Sequence, residues 1–352
     1  MRRLWFIILT GKCNLRCRYC GGSFPENLVP YELKYDVKLL RKLIKYRDNV
    51  CFYGGEPLLN INDLIRVITT VNARRFIIQT NGTLVHEVPK WVWNFIDCVL
   101  LSIDGVEEVT DKYRGRGVYR KVIEAAKYLR KIGYNGEIIA RMTVTEDSDI
   151  YRDVTHLLKL GLFDKVHWQL NVIWYERWEF EKWARERYLP GIKRLVKLFL
   201  DFAERGIVLK IVPITGVLTE ILFKDIISVP CGAGYRAFAI NSDGRILACP
   251  IAVREKWAEV GNVLTGVQKI VTVGEPCTSC NMFKLCGGRC LYAYYERSWG
   301  DEGFEAVCEV TREYLSYILK ISDRVRELIH NGVIRREDVF QDGVEDSTEI
   351  IP

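Results

Sequence analysis

The cysteines of this chain fall into two spaced groups. Ten of the twelve belong to them, three near the start and seven between Cys231 and Cys308. The first group has the spacing Cys13-x3-Cys17-x2-Cys20. Three thiolates at this spacing can hold a four-iron cluster and leave one of its irons without a protein ligand. An iron with an open coordination site can take part in chemistry, so the first group predicts an iron–sulfur enzyme.

The composition is that of an ordinary soluble globular protein. The 352 residues are 49% hydrophobic and 27% charged, which suffices to bury one large core or two smaller ones. The apolar run 4–9 is too short for a signal peptide, and no run approaches the roughly 18 apolar residues of a membrane helix. We therefore expect a cytoplasmic protein without membrane contacts, in which clustered cysteines are metal ligands or catalysts.

The net charge of +6 does not indicate a protein that binds nucleic acid. This value counts every cysteine as neutral, and thiolates bound to three clusters would bring the charge to about +2. In the aromatic stretch 174–188, four basic residues are balanced by four acidic ones. A role driven by attraction to nucleic acid is therefore not expected.

Short β-branched or aromatic runs alternate with longer amphipathic stretches over the first half of the chain. The predicted strands are residues 4–9, 50–53, 75–79, 98–103, 137–143 and 165–171. The predicted helices are residues 35–46, 62–72, 90–95, 117–132 and 150–160. This alternation predicts an α/β fold with a parallel sheet, either open or curled into part of a barrel. The active site of such a fold lies at the carboxyl ends of the strands, where the first cysteine group begins.

The order of the motifs that follow these strands resembles the radical S-adenosylmethionine (radical SAM) enzymes. The cysteine group follows the first strand, Gly54-Gly55-Glu56-Pro57 the second and Thr80-Asn81-Gly82 the third, while the fourth ends in Leu101-Ser102-Ile103-Asp104-Gly105. The resemblance implies a partial (βα)6 barrel similar to a TIM barrel. It also implies that the open iron binds the amino and carboxylate groups of S-adenosylmethionine. One electron from the [4Fe–4S] cluster would cleave this cofactor to a 5′-deoxyadenosyl radical, which abstracts a hydrogen atom from the substrate.

The resemblance also implies a cofactor site around the carboxyl ends of the strands. Glycines allow a backbone to approach a ligand closely, and Glu56 would face the ammonium group of the cofactor. Tyr19 would pack on the adenine. Ser102 and Asp104 would contact the ribose, with an ordinary turn as the alternative. Arg141, on the polar face of the fifth strand, would bind a carboxylate or form a structural salt bridge. The implied cofactor-binding residues are Tyr19, Gly54, Gly55, Glu56, Asn81, Ser102, Asp104 and Arg141.

The sixth predicted strand also has a polar face, formed by His167, Gln169 and Asn171. These side chains are either cofactor or substrate contacts or a satisfied polar edge of the sheet. The other histidines lack the spacing of metal ligands and are expected to be surface or core residues.

The second cysteine group resembles the SPASM domain, a C-terminal extension of radical SAM enzymes that modify peptides and proteins. Its pattern runs Cys231-x12-Gly244-x4-Cys249, then Cys277-x2-Cys280-x5-Cys286-x3-Cys290, then Cys308. The resemblance implies two auxiliary iron–sulfur clusters, both of the [4Fe–4S] type. The first would be bound by Cys231, Cys249 and Cys290, and the second by Cys277, Cys280, Cys286 and Cys308.

The first auxiliary cluster would lack a fourth cysteine. Residues 210–230 offer only Glu220 and Asp225 as ligands. Three interpretations of the fourth coordination position follow: a distant ligand such as Cys98, a carboxylate or water, or an open site. An open site could bind a substrate thiolate and lead to a thioether. The alternative to the clusters is a zinc site of Cys277, Cys280, Cys286 and Cys290. Cys51 and Cys98 lie in apolar strands and are expected to be core residues.

We divide the chain into a radical SAM core at residues 1–222, a SPASM domain at 223–310, and a C-terminal helix with an acidic tail at 311–352. The core would end with a helix at 192–205 and a strand at 207–212, and Pro213, Gly216 and Pro230 mark the boundary. The last helix would span 311–329. The acidic end at 341–352 would be frayed or disordered.

These features predict an enzyme that modifies a residue of a peptide or protein, and the resemblance looks closest to archaeal-type members. One alternative is the same chemistry on a small molecule or cofactor precursor, and another is a non-catalytic iron–sulfur electron carrier. A reductant such as ferredoxin or flavodoxin would supply the electron. Because the first strand begins at Leu4, we expect a peptide to be recruited by a separate leader-binding protein, by the SPASM domain or without a leader. No residue stands out as the general base.

Overall fold

A ten-stranded sheet is the centre of the fold. The computed structural model describes residues 2–173, 176–224 and 228–352. Its strands are β1 (Leu4–Thr10), β2 (Asn49–Gly54), β3 (Arg75–Thr80), β4 (Cys98–Ser102), β5 (Glu137–Val144), β6 (Lys165–Leu170), β7 (Ala237–Ile240), β8 (Arg245–Leu247), β9 (Glu259–Asn262) and β10 (Gly266–Val267). They are ordered β10-β9-β8-β7-β1-β2-β3-β4-β5-β6.

The first six strands are parallel, and each pairs with the next in chain order. The predicted parallel α/β sheet is thus confirmed, and the six predicted strands match the observed ones within one or two residues at each end. β7 pairs with β1 in parallel, and β8 to β10 follow as antiparallel strands. The C-terminal region therefore extends the same sheet.

Both faces of the sheet are buried, which explains why the sequences of the strands are continuous apolar runs. On β1, Leu4, Phe6 and Ile8 face a lumen that also contains Cys51 and Cys98. Trp5, Ile7 and Leu9 face the outer helices. The lumen cluster includes Val344, so the end of the chain lies inside the barrel.

The helices cover the outer face of the sheet and the C-terminal region, except for the last one, which contains Val344 and lies in the lumen. They are α1 (Leu40–Leu43), α2 (Ile61–Thr70), α3 (Glu107–Arg114), α4 (Val118–Lys131), α5 (Ile150–Lys159), α6 (Phe180–Trp183), α7 (Leu189–Ala203), α8 (Val212–Phe223), α9 (Phe283–Cys286), α10 (Leu291–Glu296), α11 (Gly300–His330), α12 (Arg336–Val339) and α13 (Gly343–Asp346). Short 3-10 helices span Val37–Leu39, Pro57–Asn60, Val85–Glu87, Lys90–Phe95 and Lys256–Ala258, and a π-helix spans Ala184–Tyr188. The last predicted helix begins earlier than expected, so Cys308 lies within α11.

Two predicted helices differ from the structure. The helix expected at 35–46 is a 3-10 turn followed by the four residues of α1, and the one at 90–95 is a 3-10 helix. The aromatic stretch 174–188 includes Trp174 and Tyr175, which lie outside the described residues.

The predicted strand at 207–212 is wrong. Only Ile211 forms a single bridge, with Val166 of β6, and α8 begins at Val212. Pro213 in the first turn explains the change, because its fixed φ suits a helix start and it has no N–H to donate to a strand. α8 is buried on nearly all sides, so its apolar sequence lacks the alternation of a surface helix.

The prediction that the acidic end is disordered is also wrong. The C-terminal segment (residues 341–352) is ordered, and two of its carboxylates pair with largely buried basic residues. Asp346 accepts from Lys165 at 2.9 Å, and Glu349 pairs with Arg141 at 2.8 Å. Ile350 and Ile351 are buried with these pairs. The local composition predicted a solvent-exposed, disordered tail. Basic residues on β5 and β6 instead compensate its acidic charges.

No helix in the described ranges is both long and apolar enough to span a bilayer.

Candidate functional site

The first cysteine group lies in a loop that leaves the carboxyl end of β1. Backbone hydrogen bonds hold this loop: Gly55 N donates to Thr10 O at 2.9 Å, and Glu56 N to Lys12 O at 2.7 Å. On its other side, Arg18 N donates to Tyr113 O of α3 at 2.9 Å. Within the loop, Cys17 O accepts from Cys20 N at 3.1 Å and from Gly21 N at 2.9 Å. The three cysteines are thus fixed beside the carboxyl ends of the strands.

Gly54 and Gly55 allow the turn after β2 to approach the backbone of the cysteine loop. A Cβ on Gly55 would lie 2.2 Å from Lys12 O, and one on Gly54 would lie 2.4 Å from Thr10 O. Gly54 also has a φ of 137°. The close approach that the sequence predicted is therefore made to the loop that carries the cysteines. Both glycines also line the cavity beside it.

Glu56 is fully buried and its carboxylate is used within the chain. Oε1 accepts from Thr80 Oγ1 at 2.7 Å and from Leu58 N at 3.0 Å, while Oε2 accepts from Asn81 N at 2.8 Å. Burial raises the pKa of Glu56 to about 7. Glu56 thus joins the ends of β2 and β3, and its contact with the ammonium group of the cofactor stays a prediction.

Asn81 connects β3 to the cysteine loop. Its Nδ2 donates to Asn14 Oδ1 at 2.8 Å, and its Oδ1 accepts from Thr83 Oγ1 at 2.7 Å. Asn14 Nδ2 in turn donates to Thr83 Oγ1 at 2.9 Å. This network orients the residue directly after Cys13.

Asp104 forms a buried ion pair with Arg114, a residue that the sequence did not single out. The pair is bidentate, with both nitrogen–oxygen distances at 2.8 Å. Tyr19 Oη donates to Asp104 Oδ2 at 3.0 Å, and Thr143 N donates to Oδ1 at 2.8 Å. The ring of Tyr19 stacks on Tyr113. Protein donors therefore surround the carboxylate of Asp104, and its expected contact with a ribose stays a prediction.

A cavity of about 280 Å³ opens between the cysteine loop and the C-terminal region. Its lining includes Cys13, Tyr19, Cys20, Gly54, Gly55, Ser102 and Arg141, and also Gln79, Arg114, Gln169 and Asn171. Of the polar face predicted on β6, Gln169 and Asn171 therefore reach the cavity. Gln169 Nε2 is buried without a hydrogen-bond partner, so a ligand in the cavity could satisfy it.

Arg141 is paired with Glu349 at one wall of this cavity. Arg141 Nη1 and Nη2 lie 2.8 and 3.2 Å from the two carboxylate oxygens. His167, fully buried beside them, accepts from Arg141 Nη1 at its Nδ1 and donates from Nε2 to Glu349 O at 2.8 Å. Burial and the neighbouring Arg141 lower the pKa of His167 to about 4. Of the two roles considered for Arg141, the structure contains the salt bridge.

The second cysteine group is divided between two cavities. Cys277, Cys280, Cys286 and Cys308 line a small cavity of about 100 Å³. Cys231, Cys249 and Cys290 line the larger cavity, opposite the cysteine loop. These are the two sets that the SPASM resemblance implies, and their role as cluster ligands stays a prediction. Arg289 lines both cavities.

The zinc alternative does not fit this division, because Cys290 faces a different cavity from the other three cysteines. Within the described ranges, no three Cys, His, Asp or Glu side chains lie close enough to hold a single metal ion. Thiolates at separate corners of a four-iron cluster lie farther apart than the ligands of one ion.

The fourth ligand of the Cys231 set is not Cys98. Cys98 is the first residue of β4 and is fully buried in the lumen, at the opposite end of the strands. Glu220 is paired with Lys224 on α8 at 3.6 Å. Asp225 lies outside the described residues.

The donor groups fit the implied cofactors. Three thiols at the end of β1 suit a cluster with one open iron, and they adjoin a cavity with guanidinium, hydroxyl and amide groups for a polar ligand. Residues 7–158 match the family model of the Radical SAM superfamily. This part of the chain is a radical SAM domain.

The similarity of this chain to known proteins extends beyond the radical SAM domain. The chain is 26% identical to the "Cysteine-type anaerobic sulfatase-maturating enzyme" of Clostridium perfringens (strain 13 / Type A), in an alignment that covers 87% of this chain and 93% of that protein. The structure titled "Native anSMEcpe with bound AdoMet and Cp18Cys peptide" has a TM-score of 0.70 at 22% identity, covering 94% of this chain and 99% of that one. Streptococcus suis SuiB bound to precursor peptide SuiA has a TM-score of 0.56 at 17% identity, covering 82% and 72%. These two structures establish the fold.

The family match confirms the resemblance that the motifs indicate. It also confirms the cofactors of this family, a [4Fe–4S] cluster and S-adenosylmethionine. Three charged residues of the cavity lining were missed by sequence reasoning: Arg114, Arg289 and Glu349. Arg114 belongs to none of the motifs that follow the strands, and Glu349 is separated from Arg141 by 208 residues. Arg289 is adjacent to Cys290, which is the one signal that could have drawn attention to it.

Proposed function

We propose that this radical SAM protein modifies a residue of a peptide or protein. Its cluster and cofactor would supply a 5′-deoxyadenosyl radical by reductive cleavage of S-adenosylmethionine. Hydrogen abstraction from the substrate would then lead to a thioether, a crosslink or an oxidised residue. A reductant such as ferredoxin or flavodoxin would deliver the electron, and a separate leader-binding protein remains a candidate partner.

One observation carries this proposal. Cys13 and Cys20 line the same cavity as Cys231, Cys249 and Cys290. A substrate in this cavity can therefore contact the site of hydrogen abstraction and an auxiliary cluster at the same time. The Cys231 set would hold the first auxiliary cluster, and the other four C-terminal cysteines would hold the second.

The relatives support a peptide substrate. The curated relative is named for maturing a sulfatase, a protein. The titles of the two solved structures name a bound peptide and a precursor peptide.

The chain's own residues would orient the reactants. Arg141 and Gln169 are placed to bind polar groups of the cofactor or substrate, and Ser102 lies on the same wall. Arg114 holds Asp104, which fixes Tyr19 at the edge of the cavity. An oxidative outcome also needs a proton acceptor. Among the described residues that line the cavity, Glu349 is the one carboxylate.

Three thiols in the Cys231 set leave room for a substrate thiolate on the fourth iron. We therefore propose thiol-containing peptides as the first substrates to test. The carboxylate and water alternatives for this position predict no preference for a thiol.

The first test is reductive cleavage of S-adenosylmethionine by the anaerobically reconstituted protein. Dithionite is the reductant, and 5′-deoxyadenosine is measured by chromatography. Cys17→Ala should abolish cleavage, whereas Cys51→Ala, which removes a buried thiol of the lumen, should retain it. Equal loss in both variants would contradict the assignment of the catalytic cluster to the first group.

The second test uses peptides deuterated at the carbons of cysteine. Transfer of deuterium into 5′-deoxyadenosine would identify a substrate carbon directly. Cleavage without any transfer from peptides, but with transfer from a small molecule, would favour the small-molecule alternative.

A further inference from the structure

The C-terminal segment (residues 341–352) runs through the barrel from the amino ends of the strands to their carboxyl ends. Near its start, Asn49 Nδ2 at the beginning of β2 donates to Val344 O at 2.7 Å. At its far end, Glu349 and Ile351 line the large cavity. The segment is therefore part of the wall against which the cofactor would bind.

Its backbone is firmly held along this path. Asp346 is fully buried and accepts from Lys165 at 2.9 Å, and Gln341 donates to the same carboxylate at 2.7 Å. Ile350 packs directly against Gly216 of α8, where a Cβ would lie 2.4 Å from the isoleucine side chain. His167 holds the carbonyl of Glu349. Displacing the whole segment would leave Asp346 without Lys165 and would take from Lys165 one of its two carboxylate partners, the other being Glu137, which is unfavourable for buried charges.

The side chain of Glu349 is less constrained than its backbone. It is 34% exposed to the cavity, compared with 14% for Arg141. Rotation about its side-chain bonds would carry the carboxylate away from Arg141 and into the cavity without moving the backbone. The obstacle to this rotation is the charge of Arg141, which would lose its partner.

A second carboxylate removes that obstacle. Arg141 is the residue that the sequence assigns to a carboxylate of the cofactor, and the structure has a carboxylate of the chain in that position. Two of its terminal nitrogens bind Glu349, and one also contacts His167. An incoming α-carboxylate must therefore share Arg141 with Glu349 or replace it. Replacement keeps the guanidinium paired throughout, and the released carboxylate would lie in a cavity whose lining includes Arg289 and the unpaired Gln169 Nε2 as donors.

We propose that Glu349 is an internal competitor for Arg141, whose carboxylate is exchanged for the α-carboxylate of S-adenosylmethionine when the cofactor binds. This inference rests on the proposed function, because it takes the cavity as the cofactor site. Glu349 then lowers the affinity for ligands that carry an α-carboxylate and leaves the affinity for ligands without one unchanged.

The test compares two ligands and two variants of the reconstituted protein. S-Adenosylhomocysteine carries the α-carboxylate, and 5′-methylthioadenosine lacks it. Glu349→Gln keeps the size of the side chain and removes its charge. Glu345→Gln is the matched control, since Glu345 lies in the same segment but pairs with Arg74 and does not line the cavity. Dissociation constants are measured anaerobically by equilibrium dialysis.

In Glu349→Gln we expect S-adenosylhomocysteine to bind about tenfold more tightly, because one charge-assisted hydrogen bond no longer has to be exchanged. The affinity for 5′-methylthioadenosine should change by less than about twofold, and Glu345→Gln should alter neither. Weaker or unchanged binding of S-adenosylhomocysteine would overturn the proposal and make Glu349 a support for Arg141.

A second variant covers the case in which Glu349→Gln does not fold. Glu349→Asp keeps a carboxylate on a shorter side chain that reaches Arg141 less well. We therefore expect the affinity for S-adenosylhomocysteine to increase less than in Glu349→Gln, and the affinity for 5′-methylthioadenosine to stay unchanged. Absence of any tightening would again overturn the proposal. Failure of the wild-type protein to bind either ligand would instead count against the proposed function.

Discussion

Cys286 and Cys290 are four residues apart in the chain, yet their side chains line different cavities. α9 ends at Cys286, and the next three residues, Gly287, Gly288 and Arg289, have φ values of 61°, 86° and 54°. Three successive residues in this left-handed region turn the chain sharply. The turn allows one short sequence to contribute to two separate sites.

This division predicts different iron losses for two neighbouring variants. Cys290→Ser should remove about four irons per chain from the site beside the large cavity and leave the second auxiliary cluster in place. Cys286→Ser should affect the second cluster alone. Iron content and Mössbauer spectra of the anaerobically reconstituted variants measure both effects. If the two variants lost the same spectral component, a single shared metal site would be indicated.

The Asp104–Arg114 pair is expected to be important for stability. Both side chains are buried, and Asp104→Ala leaves the guanidinium without a charged partner. We expect a loss of about 3–5 kcal/mol in the free energy of unfolding. Urea denaturation of the cluster-free protein provides the measurement.

Glu107→Ala is the control for this variant. Glu107 pairs with Arg120, and both side chains are exposed. Its loss should cost no more than about 1 kcal/mol. Equal destabilisation by the two substitutions would show that burial does not govern the Asp104–Arg114 pair.

The glycine after β2 provides a prediction about cluster assembly. Gly55→Ala would place a Cβ 2.2 Å from Lys12 O, a backbone atom of the cysteine loop that cannot rotate away. The loop must move, so we expect reduced iron incorporation at Cys13, Cys17 and Cys20 with the secondary structure retained. Iron content and circular dichroism measure the two properties.

Gly274→Ala separates this effect from the general cost of replacing a glycine. There, the nearest atom is the hydroxyl of Tyr294 at 3.0 Å, at the end of a side chain. Normal iron incorporation in Gly55→Ala would mean that the loop tolerates displacement.

The sequence predicted the parallel sheet well because the pattern that indicates each strand lies within a few consecutive residues. Residues such as Val50 and Phe52 are buried on one face and Cys51 on the other, so each strand is a short apolar run between turns. Strand ends followed by glycines placed the motifs at one edge of the sheet. The family resemblance added the order of those motifs.

The polar contacts of the site could not be predicted in the same way. Glu56 accepts from Asn81 N and Asp104 from Thr143 N, donors that lie 25 and 39 residues away in the chain. The path of the C-terminal segment depends on pairs such as Lys165 with Asp346, which lie 181 residues apart. Local charge patterns contain no information about such partners, so an acidic end was mistaken for a disordered one.

His167 predicts how the stability of the cluster-free protein depends on pH. Burial first, and then Arg141, lower its pKa from 6.5 to about 4 in the folded state. Between these values the unfolded chain binds a proton that the folded chain does not, so stability falls as the pH decreases through this range. The contribution of His167 is fully present above pH 6.5.

Replacing His167 with Gln should weaken this dependence. Gln can accept from Arg141 and donate to the carbonyl of Glu349, but it does not titrate. Between pH 7 and pH 5, the wild-type protein should lose about 2 kcal/mol more unfolding free energy than the variant. His330→Gln, at the exposed end of α11, is the control. Parallel pH profiles for wild type and His167→Gln would mean that another group causes the acid sensitivity.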